Sequence, residues 1–119
     1  MEHKLIYHFT EEATFNDART HGEYKPLRFE NDGYIHCSTK EQVLMVANNI
    51  APRDVPLVLL EIEAARVPHK IIYENLEGGT MLFPHIYGGL PIDAVTNVFA
   101  FRPSDEGVFG WPEEDDMLR

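Results

Sequence analysis

The sequence predicts an α+β domain with a mixed or antiparallel sheet rather than a doubly wound one. Three observations lead there. The apolar pattern reads strand, helix, strand, helix and then mostly strand. At 119 residues the chain is long enough for one real core and one domain. With a single cysteine there is no intrachain disulfide, so packing alone must hold that core.

The first strand is Lys4-Leu5-Ile6-Tyr7-His8-Phe9, β-branched and aromatic. Thr10 is placed to cap a first helix, with Glu11 and Glu12 favourable against its dipole. Ala13, Phe15, Ala18 and Arg19 suit a short amphipathic helix that stops at Gly22. Arg28 to Asp32 reads as loop. The second strand runs from Tyr34 to Cys37, and a period of two sends Tyr34, His36 and Ser38 to one side and Ile35 and Cys37 to the other. A second helix follows at once. Thr39 with Gln42 three residues on forms a capping box, and Lys40 to Asn49 turns Val43, Leu44, Val46, Ala47 and Ile50 inward. The turn leaves backbone N–H groups able to bind polar or anionic groups.

Ala51-Pro52-Arg53-Asp54 breaks the helix. Leu57 to Ile62 is the most apolar strand and is expected at the centre of the sheet. Val67 to Glu74 is a further strand, and Glu77-Gly78-Gly79 a turn. Met81 to Pro91 is too rich in proline and glycine for a plain strand. Ile92 to Val95 is one helical turn or a bend, and Thr96 to Phe101 the last strand. Residues 1–103 form the domain and residues 104–119 an acidic tail, with Phe109 and Trp111 available as anchors.

The formal net charge is −10, and half of it lies in that tail. An acidic body argues against DNA or RNA backbone binding, while leaving room for a small ligand held by local donors. The absence of a long apolar run argues against a membrane span. The chain start lacks the apolar core of a signal peptide. Together with the lone cysteine, this predicts a cytoplasmic protein. The tail is a candidate arm for a protein partner.

Three histidines share one local chemistry. His8 has Thr10 on its own face, His36 lies between Tyr34 and Ser38, and His85 has Tyr87 two residues on. Imidazole and hydroxyl each donate and accept, so such pairs suit sugar hydroxyls or a carboxamide. Any one of them alone reads as a structural histidine bonded to a backbone carbonyl. A three-histidine zinc hydrolase is the competing reading, but short ligand spacings such as HExxH are missing, so the organic ligand ranks first and no metal ligand is assigned. Cys37 points away from His36 and reads as a small buried residue. Glu61 and Glu63 read as the exposed end of a strand before they read as a general base. Lys25, Arg28 and Lys40 are the cations nearest the His36 motif in sequence, and His3, His21 and His69 are surface residues.

Ile6-Tyr7-His8-Phe9-Thr10, Gly22-Glu23-Tyr24, Gly33-Tyr34-Ile35-His36-Cys37-Ser38-Thr39 and Phe83-Pro84-His85-Ile86-Tyr87-Gly88 resemble the domain of unknown function 952 family, over residues 4–101. That family's fold is similar to that of the ADP-ribosyltransferases. The resemblance implies two small mixed or antiparallel sheets packed across each other, with two main helices and an NAD-sized cleft. It implies a nucleotide ligand, NAD as substrate, and transfer or hydrolysis of ADP-ribose. His8 and Thr10 match the strand-one His or Arg and its following hydroxyl. Tyr34, Ser38 and Thr39 match the strand that runs into a hydroxyl and a helix. On this reading His8 holds ribose hydroxyls, Tyr34 or Tyr87 stacks on the base, and His36, Ser38 and His85 position the reacting ribose. Many such transferases carry a catalytic glutamate before the last strand. The corresponding stretch, Phe83 to Tyr87, offers His85 instead. A neutral imidazole supplies the hydrogen bond without the charge. RNA 2′-phosphotransferases of the same wider fold dispense with that glutamate, but they use clustered cations that this acidic chain lacks. A non-catalytic interaction domain is the remaining alternative.

Overall fold

A computed structural model describes residues 3–118. The expected domain start at residues 1–2 and the final Arg119 of the tail lie outside the described residues. Among the described residues every strand pairing is antiparallel, which removes the mixed-sheet option.

The chain is an α+β domain of small antiparallel sheets. In the first sheet β4 (Leu57–Glu63) lies between β1 (Leu5–Glu11) and β8 (Val95–Phe101). In the second, β6 (Phe83–Ile86) lies between β3 (Ile35–His36) and β5 (Ile71–Glu74). A ribbon of β2 (Glu23–Tyr24) and β7 (Leu90–Pro91) sits beside them. Among the described residues a backbone bridge joins the two larger sheets. Tyr7 N–H donates to Ser38 O at 2.7 Å, and Ser38 N–H returns to Tyr7 O at 2.8 Å. This bridge ties the free edge of β1 to the exit of β3.

β4 lacks alternation because both faces of its sheet are covered. Ile6, Val58, Leu60, Ile62 and Val98 pack toward Ile35 and Ile86 of the second sheet. Tyr7, Leu57, Leu59, Phe99 and Phe101 pack toward Val43 and Ala47 of the long helix α3 (Lys40–Ile50) and toward Phe109 of the tail.

Several expectations need correction. Thr10 does not cap helix α1 (Glu12–Arg19). It stays in β1 opposite Val58, and Glu11 takes the cap position without a side-chain cap bond, because β4 is long enough to hold the strand extended. Ala13 and Arg19 are exposed, so only Phe15 and Ala18 form the inner face of α1. The helix closes at Thr20, and Gly22 takes the left-handed turn beyond it (φ 79°). The expected loop at Arg28 to Asp32 contains a single helical turn, α2 (Phe29–Asp32), stopped by Gly33 at φ 78°. Ile50, at the end of α3, is exposed. The expected strand from Val67 forms only at Ile71, since Pro68 follows a 3-10 turn over Ala64–Arg66. The segment expected to be too irregular for a strand contains β6, paired on both sides. Pro84 is tolerated there because its carbonyl accepts from Cys37 N–H at 3.0 Å, a role that needs no N–H of its own.

The expected tail, residues 104–119, lies on the body as far as Leu118. Phe109 is buried, its ring 4.8 Å from Phe101, and Asn48 bonds both its N–H and its carbonyl. Trp111 meets Tyr7 edge-on at 5.2 Å. Met117 bridges Phe99, and Leu118 N–H donates to Val98 O, so the outer edge of β8 is covered.

Candidate functional site

A cleft of about 430 Å³ opens where β1, β3 and β6 come together, between the second half of α3 and the turn after β5. His8, Thr10, Tyr34, His36, Ser38 and His85 all line it. Two expected residues do not. Thr39 lines a separate hollow of about 400 Å³ beside His3 and Tyr73. Tyr87 does not line the cleft and instead gives its hydroxyl to Glu74.

The β3–β6 register sets the centre of the site. His36 stands directly opposite His85, with ring centroids 5.2 Å apart. Tyr34 lies flat on His85, 4.2 Å away and 17° off parallel, and its edge reaches His36. Each imidazole is backed by a carboxylate. His36 Nε2–H donates to Asp32 Oδ2 at 2.9 Å, across the Gly33 turn that stops α2. His85 Nδ1–H donates to Glu74 Oε2 at 2.9 Å, because Glu74 lies two residues beyond Ile72, the partner of His85 on β5. A carboxylate can only accept, so these bonds fix the tautomers and leave the opposite nitrogens, His36 Nδ1 and His85 Nε2, as acceptors. Only 4% of His85 is exposed, yet among the described residues no buried side-chain nitrogen or oxygen lacks a partner. The unbonded Nε2 of His85 is therefore accessible, and His85 lines the cleft.

His8 is different. Its Nδ1–H donates to the His36 carbonyl at 2.6 Å, so its Nε2 must accept from the Tyr24 hydroxyl at 2.8 Å. Burial, partly offset by the His36 carbonyl, lowers its pKa to about 4, so the ring is neutral. Burial pushes the Tyr24 phenol up to about 12, and the neighbouring Thr10 partly opposes that. Both His8 nitrogens are engaged, which corrects the expectation that His8 binds ribose directly. Its ring fixes the backbone under His36 instead. Among the described residues no group of three or more His, Cys, Asp or Glu side chains is arranged to hold a metal.

Electrostatics follow from these contacts. The Tyr87 and His85 hydrogen bonds hold the Glu74 carboxyl below its usual pKa, and His36 with Arg28 does the same for Asp32. Burial lowers the His85 pKa, and Glu74 partly opposes it. The bond to Glu74 pushes the Tyr87 phenol up to about 12. Burial raises the Cys37 thiol, as a packing role requires. Glu61 accepts from Tyr7, Thr96 and Asn97 and clasps β1 to β8 across β4. Of the three cations noted in sequence, Arg28 lines the cleft, 3.3 Å from Asp32. Lys25 lies over Phe29 and Lys40 over Trp111.

Sequence reasoning missed Asp32, Glu74 and the role of Tyr24. Asp32 had a signal, the spacing of four to His36. Glu74 had only a hairpin signal, the glycine turn between β5 and β6.

The same chain pattern occurs in known proteins. The crystal structure of protein CC0527 from Caulobacter crescentus superposes with a TM-score of 0.79 at 30% identity, covering 89% of this chain and 93% of that one. The crystal structure of a double mutant of CC0527 matches equally, and the solution NMR structure of CC0527 gives 0.77. A search of curated proteins finds no match. The sequence model described as "Protein of unknown function (DUF952)" matches residues 9–98, which include the end of β1, the Gly33–Thr39 motif and the Phe83–Gly88 motif. With three quarters of its length inside that match, the chain belongs to the DUF952 family.

Proposed function

We propose that the domain is ADP-ribosyltransferase-like and that its cleft binds NAD or a related nucleotide, acting on the bond between ribose and base by hydrolysis or transfer. The fold part is supported by two small sheets sharing a core and joined at the Tyr7–Ser38 bridge. The chemical part rests on one observation above the others: His85 lines the cleft, carries a carboxylate at one nitrogen and leaves the other open. That is the arrangement of an oriented general base. Glu74 also brings to the site the negative charge that the Phe83–Tyr87 stretch itself lacks, and a positive charge developing on ribose is favoured by it.

In this reading His85 Nε2 takes the proton of the attacking water or acceptor hydroxyl. The C1′–N bond breaks with its electron pair going to the base, and the new C1′–O bond forms. His36 Nδ1 and Ser38 hold the ribose hydroxyls, and Tyr34 keeps the His85 ring in place. Thr10 and His8 support the wall behind. The lone buried thiol fits a reducing compartment, and the cytoplasm is the one we infer.

The test is an NMR titration of the imidazole signals with NAD and with ADP-ribose, beside His85→Ala. Selective shifts of His36 and His85 in the wild type, with the His36 shift weakened in the variant, support the reading. Unmoved signals at millimolar ligand overturn it.

A further inference from the structure

We infer that the part of the ligand this cleft recognises is a positively charged N-ribosyl heteroaromatic ring, a pyridinium-type nucleoside, and that phosphate groups add nothing to binding. This rests on the reading above and names its substrate class.

Charge is the first argument. Asp32 backs His36 at the cleft wall, and Glu74 and Glu77 line the cleft, against one guanidinium, Arg28, which is itself 3.3 Å from Asp32. A pyrophosphate entering here meets two lining carboxylates, a third behind His36 and a cation already engaged. The usual alternative, a helix N-terminus, is closed from within. Thr39 and Gln42 complete the capping box of α3, with Thr39 N–H donating to Gln42 Oε1 at 2.9 Å.

The walls are the second argument. Five aromatic residues are among those that line the cleft, and of these Phe9, Tyr34 and Phe83 are the half-buried ones, while Tyr7 and Tyr24 are buried behind them. Aromatic faces combined with nearby carboxylates are the recognition chemistry of delocalised organic cations. At the mouth, Ile50 is 66% exposed and Leu76 58%, an apolar rim that suits a flat ring better than a phosphate. Size is the third argument. About 430 Å³ lies in the lower part of the range of roughly 300–1,000 Å³ for small-molecule sites, enough for a nucleoside.

The chemistry balances for such a ligand. The bond from C1′ to the ring nitrogen breaks with both electrons passing to nitrogen, so the pyridinium leaves as a neutral base. The water oxygen bonds to C1′, and its proton goes to His85 Nε2. Positive charge moves from base to ribose while staying inside the same negative field.

Calorimetric titration of the full chain with four probes tests this: nicotinamide riboside, its neutral dihydro form, nicotinamide mononucleotide and NAD. The riboside is expected to bind as tightly as the two phosphorylated probes, and the dihydro form at least about tenfold more weakly. Glu77→Gln is expected to weaken the riboside without moving the thermal midpoint. If mononucleotide or NAD binds more than about tenfold tighter than the riboside, phosphate is recognised and the inference falls while the nucleotide reading stands. Equal binding of the dihydro form removes the role of charge. No binding of any probe overturns both.

Discussion

His85 and Glu74 meet at 2.9 Å from neighbouring strands, and the Tyr87 hydroxyl reaches the same carboxylate oxygen. One oxygen therefore orients an imidazole that lines the cleft and a phenol that does not. Glu74→Gln separates the two effects. Burial depresses the His85 pKa and Glu74 opposes that, so the variant imidazole is expected to titrate at lower pH than the wild type. The Tyr87 phenol, held at about 12 by the carboxylate, is expected to fall toward its ordinary value of 10.0. NMR titration of the histidine signals and ultraviolet titration of the tyrosines check the pair. Two unchanged curves would remove Glu74 from the site.

Tyr24→Phe tests the second imidazole. The Tyr24 hydroxyl is the donor to His8 Nε2, and His8 Nδ1–H supports the His36 carbonyl. Without the hydroxyl, a buried acceptor loses its partner, at a cost of about 1–3 kcal/mol. Chemical denaturation is expected to show that loss with an unchanged m-value. A variant as stable as the wild type would mean that Nε2 finds another donor and that the chain from Tyr24 through His8 to His36 is not needed.

How much of this is legible in the sequence depends on the range of the interaction. The Thr39–Gln42 cap, the buried Leu57–Leu60 run and the side of β3 carrying His36 are local, and periodicity and capping residues state them. Thr10 looks like a cap because its strand is prolonged by Val58, far along the chain. β6 is obscured because Pro84 is judged by the N–H it lacks, whereas the register uses its carbonyl. The placing of His8, His36 and His85 around one cleft follows from three like motifs. That His8 is sealed by Tyr24, and that Glu74 stands in for a glutamate near His85, depends on cross-strand register that no local pattern encodes.

The acid branch of the stability curve carries a signature of His8. Its folded pKa, about 4, lies below its ordinary 6.5, so between those values the unfolded chain binds more protons than the native one. Stability is therefore complete above about pH 6.5 and is lost as pH falls toward about 4, with His85 adding in the same direction. The His8 part is on the order of 3 kcal/mol, at about 1.4 kcal/mol per pKa unit. His8→Gln is expected to be less stable at pH 7 but flatter across that window. Denaturant midpoints measured at intervals of pH test it, and parallel curves for the two proteins would refute the buried neutral imidazole.

Phe109 decides whether the acidic segment is an appendage or part of the body. Its ring is buried against Phe101, the Arg53 guanidinium lies 5.1 Å from its centroid, and Asn48 bonds its backbone twice. Phe109→Ala removes a large side chain from the core under α3 and is expected to cost about 3–5 kcal/mol. Truncation after Pro103 removes Trp111 from Tyr7 and uncovers the outer edge of β8 as well, so it is expected to lower stability further and to promote edge-to-edge association. Glu106→Gln, which alters only the charge of an exposed loop residue, is expected to change stability by less than about 0.5 kcal/mol. Denaturation midpoints and sedimentation of the three variants rank these effects. A truncated chain as stable and monomeric as the full one would show that residues 104–119 add charge and no packing, and would return them to the role of a free interaction arm.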